Sequence, residues 1–143
     1  MRHCLVVAHQ TLDSPRLGEV MLEETSRDPC TFHLVVPVTS RGEGLTYTDA
    51  QVRATAQERL NQALSSFRME GFAVDGEVGG PSPVDSVTDA ILRDGTDRYA
   101  MVIVSTLPHA ISRWLRIDVP TRIQRATGLP VRHVEAPVRE ESA

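Results

Sequence analysis

The chain contains no lysine, and this absence excludes several kinds of chemistry. All 15 of its basic residues are arginine, in a length of 143 residues. A chain without lysine has no Schiff-base nucleophile and no phosphate-loop lysine of the Walker type. It also lacks the switch lysine expected of a phosphate-accepting receiver domain. The composition alone therefore excludes these three functions, which are common among α/β domains.

Long apolar runs and an excess of positive charge are missing as well. No run approaches the roughly 20 apolar residues of a membrane-spanning helix, so we expect no membrane partner. The net charge of −4 argues against general nucleic-acid binding, which needs a basic face. The opening residues, MRHCLVVAHQ, turn polar too soon for a signal peptide and are expected to form a strand in a cytoplasmic protein.

Cysteine is scarce, and its placement does not indicate a disulfide or a metal site. Cys4 and Cys30 each lie beside an apolar run, which favours buried free thiols. Nothing resembles paired zinc ligands or the dinucleotide-binding glycine pattern. The sequence predicts neither a metal nor a cofactor.

What the sequence does contain is a regular alternation of strand and helix patterns within one domain, residues 1–135, followed by a frayed polar tail, 136–143. The predicted strands are 4–8, 31–38, 72–79, 99–105 and 131–135. The predicted helices follow Ser14, run over 48–70, lie between Ser82 and Gly95, and run from Asp118 to Gly128. This pattern predicts a doubly wound α/β domain with helices on both faces.

The burial pattern of the strands predicts their order. The fourth strand, YAMVIVS, is apolar throughout and suits the centre of a parallel sheet. The third alternates, with Asp75 and Glu77 on one side, and the fifth is short and mixed, so both are expected at edges. A five-stranded parallel sheet in the order 3-2-1-4-5 satisfies both statements.

A ligand in such a sheet binds where the strand order reverses, at the carboxyl ends of strands one and four. The polar residues expected there, with the glycine and the arginines nearby, are the candidate ligand-binding residues. They are His9, Gln10, Val38, Thr39, Arg41, Gly80, Ser105, Thr106, Arg113 and Asp118. No catalytic residue is assigned among them. Every α/β domain places polar loop residues at this edge, so an empty crevice remains an alternative.

A catalytic alternative uses His9 and Ser105, which the predicted topology brings to the same edge. A Ser-His pair could support a small hydrolase or a nucleotide-processing enzyme. However, Ser105 lies in VSTLP, not in the sharp Gly-x-Ser-x-Gly elbow that exposes such a nucleophile. We therefore expect a non-catalytic protein.

Two segments carry a resemblance to a known family. The helix after the third strand reads SPVDSVTDAI, and the last third of the chain contains SRWLRIDVPTRIQRATGLPVRHV. With the length and layout, these segments resemble the universal stress protein family across nearly the whole chain. The matching positions in the final segment are Arg113, Trp114, Leu115, Asp118, Arg122 and Ile123. The resemblance implies a homodimer through the last strand, with Val131, His133 and Val134 at the interface.

The departures from that family concern its nucleotide site. ATP-binding members carry Gly-x2-Gly-x9-Gly-Ser/Thr, where glycine lets backbone N–H groups approach the phosphates. Here the glycine positions are Ser105, Pro108 and Ile117, and the last is followed by Asp118. Proline has no N–H, and a carboxylate ~4 Å from a phosphate would cost about 4 kcal/mol at an effective dielectric of 20. The Asp that usually ends the first strand is replaced by His9.

We therefore expect a regulatory or ligand-binding module that does not bind ATP but holds a nucleoside, a monophosphate or another small anion. A ligand-free dimer that binds a protein partner is the other non-catalytic alternative.

Overall fold

The described residues of the chain form five strands and five helices. A computed structural model describes residues 1–38, 49–108 and 112–137. Along the chain the elements are β1 Arg2–Val7, α1 Pro15–Arg27, β2 Cys30–Val36, α2 Asp49–Met69, β3 Ala73–Val78, α3 Pro83–Asp94, β4 Met101–Thr106, α4 Arg113–Arg116, α5 Val119–Thr127 and β5 Val131–Glu135. None of the helices in the described residues combines the length and apolarity of a bilayer-spanning segment.

The strands form one parallel sheet in the order β3-β2-β1-β4-β5, which confirms the predicted fold class. Val7, near the end of β1, lies opposite Val35 of β2 on one side and Val104 of β4 on the other. The strand order therefore reverses between β1 and β4, and the loops after these two strands leave the sheet in different directions.

The core has two layers because successive strand residues point to opposite faces of the sheet. Cys4 and Val6 of β1 pack with α1 and α2, and Leu5 and Val7 pack with α3 and α5. Each fully buried aliphatic side chain stabilises the fold by roughly 1.5–3 kcal/mol. Both cysteines are free and buried.

Helix α1 buries one stripe of residues, and one member of the stripe is charged. Ser14 caps the helix by accepting a hydrogen bond from the N–H of Arg16, and the buried positions are Leu17, Val20, Met21 and Glu24. Glu24 is 4% exposed. Arg132 of β5 donates to its carboxylate over 2.7 Å, and Arg2 of β1 over 3.3 Å. The carboxylate is buried because two guanidinium groups compensate its charge.

The caps of α3 and α5 also agree with the sequence. Ser82 accepts a hydrogen bond from the N–H of Asp85 at the start of α3. Gly128 ends α5 at φ 73°, a conformation that glycine adopts without a steric penalty. The sequence did not predict α4, a four-residue helix capped by Ser112. Thr48, where the second helix is predicted to begin, lies outside the described residues, as do 138–143 of the predicted tail. Ala136, assigned to that tail, is fully buried.

Candidate functional site

A cavity of about 450 Å³ opens at the carboxyl ends of β1 and β4, where the strand order reverses. We call it the switch-point cavity. It is lined by His9, Gln10, Thr11, Pro81, Pro83, Ser105, Thr106, Leu107, Ser112, Arg113, Trp114 and Ile117. Small-molecule sites in proteins usually have volumes of about 300–1,000 Å³, so this cavity is large enough for one ligand.

Two buried hydroxyls connect the two strand ends beneath the cavity. Thr11 Oγ1 and Ser105 Oγ are 2.6 Å apart, and the two residues are 2% and 1% exposed. The hydrogen bond between the two hydroxyls replaces the hydrogen bonds to water that each group loses on burial. Sequence analysis found Ser105 but missed Thr11, although Thr11 directly follows the predicted residue Gln10.

This hydrogen bond bears on the hydrolase alternative. In the part of the chain that is described, Ser105 Oγ bonds to Thr11, and no hydrogen bond joins Ser105 to His9. A serine nucleophile needs its base within hydrogen-bond reach. The geometry therefore does not supply the activated pair on which that hypothesis depends.

His9 belongs to the switch-point cavity and to a second cavity beside it. Burial, and then the positive charge of Arg59, lower the pKa of His9 below its ordinary value, so the ring is neutral near pH 7. The second cavity, about 310 Å³, is lined by His9, Val38, Gln51, Val52, Thr55, Ala56 and Arg59, and we call it the α2-side cavity. The predicted ligand residue Val38 lies in this second cavity.

The loop that follows β4 brings a cation and an aromatic ring to the switch-point cavity. Ser112 accepts a hydrogen bond from the N–H of Leu115 and so starts α4. The first turn then places Arg113 and Trp114 in the cavity wall. Arg113 is the one residue with a permanent charge among the described residues of the lining. Trp114 also packs against the core cluster beneath α3 and α5, so the ring is anchored on one side.

Thr106 connects the cavity to the edge strand β5. Its hydroxyl donates to the backbone C=O of Leu107 over 2.9 Å, and its Oγ1 is 2.9 Å from Nε2 of His133. Because the hydroxyl hydrogen points to Leu107, the second contact requires Nε2 of His133 to donate. His133, predicted at a dimer interface, therefore also contacts a residue of the cavity.

Two predicted ligand residues lie beside the cavity and do not line it. Gly80 accepts a hydrogen bond from the N–H of Val38 and donates one to Ser86 Oγ. Pro81 and Pro83 form the wall at this place. Asp118 caps α5 by accepting from the N–H of Thr121 over 3.4 Å. Thr39 and Arg41, also predicted, lie outside the described residues.

No protein-family model and no curated protein sequence matches this chain. Solved structures do match, over 94% of the chain. One is a universal stress protein in complex with cAMP, at 12% identity, a TM-score of 0.63 and 97% coverage of that chain. The chain has the universal stress protein fold.

Two further universal stress protein structures agree. The protein from Archaeoglobus fulgidus is 21% identical over 94% of its chain, with a TM-score of 0.61. The family protein from Arabidopsis thaliana with AMP bound is 13% identical over 92% of its chain, with a TM-score of 0.59. At these identities the likeness to universal stress proteins shows the fold, as the sequence resemblance predicted, and the chemistry of this chain must come from its own cavity.

Proposed function

We propose that this chain is a non-catalytic ligand-binding module whose switch-point cavity takes a nucleoside monophosphate or a similar small anion. The observation that carries the proposal is the composition of the cavity wall. Among the described residues that line it, neutral hydrogen-bonding groups accompany one permanent cation, Arg113, at the edge of the sheet where this fold class binds ligands. Such a wall suits a ligand with one anionic group.

The two adjoining cavities support a ligand with two chemically different ends. The α2-side cavity carries the aliphatic side chains of Val38, Val52 and Ala56, whereas the switch-point cavity carries hydroxyls and Arg113. Neutral His9 lines both, so a base-like apolar group and an anionic group could bind on its two sides. Two solved structures of the same fold hold cAMP and AMP, molecules of this kind.

Three features argue against a triphosphate. Pro108 has no N–H to offer, and the hydroxyl of Ser105 already bonds to Thr11. In the described part of the lining, Arg113 is the one cation that could meet the several charges of a triphosphate, and the chain has no lysine. We therefore propose weaker binding of ATP than of AMP.

The test is calorimetric titration of the protein with AMP, adenosine and ATP, using a matched pair of variants. Arg113→Gln removes the cavity cation, whereas Arg116→Gln removes an exposed arginine of the same helix that does not line the cavity. A lost hydrogen bond to a charged group is worth about 1.5–3 kcal/mol, so Arg113→Gln should weaken AMP binding about tenfold or more. It should leave adenosine binding nearly unchanged.

Tight stoichiometric binding of ATP by the unmodified protein would contradict the proposal. An equal loss of AMP affinity in Arg113→Gln and Arg116→Gln would show that only general charge, and not the cavity, matters.

We also propose a homodimer that forms through β5, and the two sheet edges support this choice. At the β3 edge, Arg68 donates to the C=O of Val74, and Arg53 to those of Val78 and Gly79. These guanidinium groups occupy carbonyls that a second strand would need. Within the described residues, no such contact occupies the outward backbone groups of Val131 and His133 in β5.

The burial of the β5 side chains bears on which of them the proposed interface could use. Val134 is 3% exposed and packs in the core beneath α1 and α2, so it is already buried in one copy of the chain. Val131 and His133 belong to the opposite face, and His133 is exposed. The proposed pairing therefore relies on the backbone of β5 and not on Val134.

A further inference from the structure

A further cavity lies at the other end of the sheet, where the strands begin. It has a volume of about 890 Å³ and is formed by the amino-terminal halves of β1, β2 and β3 together with the ends of α2 and α3. We call it the amino-end groove. His3, Thr31 and Asp75 contribute its strand residues, and Arg68 and Arg98 contribute cations. The proposed mononucleotide site does not reach it.

A hydrogen-bonded network fixes one wall of the groove. His33 Nδ1 is 2.7 Å from the carboxylate of Asp75, and its Nε2 is 2.7 Å from that of Glu77. These two contacts hold the imidazole ring between the two carboxylates. Arg93 donates two parallel hydrogen bonds, of 2.9 and 2.7 Å, to the carboxylate of Glu77.

The network also satisfies the remaining carboxylate of this wall. Arg93 and the hydroxyl of Tyr99 donate to Asp94, and Arg93 holds the pKa of Asp94 at about 2. Hydrogen bonds from Arg93 likewise lower the pKa of Glu77. Glu77 and Asp94 are therefore ionised near pH 7, and both are already paired with Arg93.

Two arginines of the groove have no such partner. Neither Arg68 nor Arg98 lies within ion-pair distance of a carboxylate in residues 1–38, 49–108 and 112–137. Arg68 uses one N–H on the C=O of Val74 and has four others. Arg98 donates no side-chain hydrogen bond to a described residue. Among the described residues, the groove therefore presents two guanidinium groups that its internal ion pairs leave available to an anionic ligand.

The neighbouring groups are suited to complete an anion site. The hydroxyl of Thr31 and Nδ1 of His3 are hydrogen-bonded to each other, which leaves Nε2 of His3 for a ligand. Half-buried Phe72 and Val74 offer apolar surface beside the arginines. Guanidinium groups match phosphate and carboxylate oxygens in planar, two-point geometry.

We propose that the amino-end groove binds a small organic anion that carries a phosphate or carboxylate group, with Arg98 and Arg68 as its cationic contacts. The site is separate from the switch-point cavity, so one chain binds two ligands, one at each end of the sheet.

The experiment follows backbone amide shifts by nuclear magnetic resonance while the full chain is titrated with inorganic phosphate and, separately, with succinate. Saturable shifts at Thr31, Ala73 and Tyr99 are the expected result. The two probes distinguish a phosphate ligand from a carboxylate ligand, and saturation by either supports the site.

The matched variants are Arg98→Gln and Arg125→Gln. Both arginines are exposed, and Arg125 lies on α5, away from the groove lining. Arg98→Gln should raise the dissociation constant about tenfold, the effect of one lost charge-assisted hydrogen bond. Arg125→Gln should change it little. Arg98→Lys keeps the charge but loses the planar guanidinium group, so its dissociation constant should lie between those of the unmodified protein and Arg98→Gln. If Arg98→Gln folds poorly, Arg98→Lys replaces it in the test.

Three outcomes would overturn the proposal. These are shifts that do not saturate with either probe, equal weakening in Arg98→Gln and Arg125→Gln, or saturable shifts confined to Gln10 and Thr106. The last outcome would assign the anion to the switch-point cavity and leave the proposed function intact. Failure of AMP to bind, with groove shifts retained, would remove the proposed function only.

Discussion

His9 is an uncharged residue of the switch-point cavity, and its burial makes the fold sensitive to acid. Because its pKa is lowered in the folded chain, the unfolded chain takes up a proton more readily. Stability linked to this residue is therefore present above the unfolded pKa of about 6.5 and decreases as the pH falls through it.

A substitution at His9 tests this linkage. His9→Gln keeps a neutral hydrogen-bonding side chain and removes the titration. The urea midpoint of the variant should decrease less than that of the unmodified protein between about pH 7.5 and 5.5. A parallel decrease in both proteins would mean that His9 contributes nothing to the acid sensitivity.

Glu24 is the buried charge that connects β1, α1 and β5. Burial alone would raise the pKa of Glu24, but hydrogen bonds from Arg132 and Arg2 outweigh burial and lower it. Its contribution to stability is therefore present above its ordinary pKa and lost as the pH falls below it.

Glu24→Gln should reduce the free energy of unfolding by about 1.5–3 kcal/mol at pH 7, because two charged hydrogen-bond donors lose their carboxylate. Glu23→Gln is the matched control, since exposed Glu23 also bonds to Arg132 but water can replace it. Urea denaturation measures both variants, and similar losses would show that burial at Glu24 is unimportant.

Among the elements, the two edge strands differ in what covers them. Arg53 and Arg68 reach from α2 to the outward carbonyls of Val78 and Val74 in β3. This arrangement blocks strand addition at one edge, a recognised way to avoid aggregation of a sheet.

The double variant Arg53→Ala/Arg68→Ala should therefore self-associate more than the unmodified protein at the same concentration. Light scattering, followed over time at a constant temperature below the unfolding transition, measures this self-association. The control is Arg122→Ala/Arg125→Ala on exposed positions of α5, which changes net charge equally. Equal scattering from the two double variants would assign the effect to charge alone.

For the whole molecule, the proposal with the widest consequence is the dimer through β5. The pairing of β5 with β4 uses the C=O of Pro130 and the N–H of Ala136. In a parallel ladder the N–H groups of Val131 and His133 then face the free edge.

His133→Pro removes one of these N–H groups without removing a bond to β4, and proline is tolerated on edge strands. Sizing chromatography should show the variant shifted toward monomer. His133→Ala loses the same contact with Thr106 but keeps the N–H, so it should remain dimeric. A dimer unaffected by His133→Pro would place the interface elsewhere.

The sequence by itself determined the architecture of this molecule. Strand order followed from the difference between apolar β4 and alternating β3, and caps such as Ser14, Ser82 and Gly128 followed from local backbone chemistry. These features depend on neighbours in the chain, so a single sequence carries them.

Only the tertiary structure decided which polar residues meet. The bond between Thr11 and Ser105 joins residues 94 positions apart, and the bond of Arg132 to Glu24 joins residues 108 apart. The amino-end groove likewise combines groups from three strands and the ends of two helices. Contacts between distant residues leave no periodic signal, because they depend on packing and not on spacing along the chain.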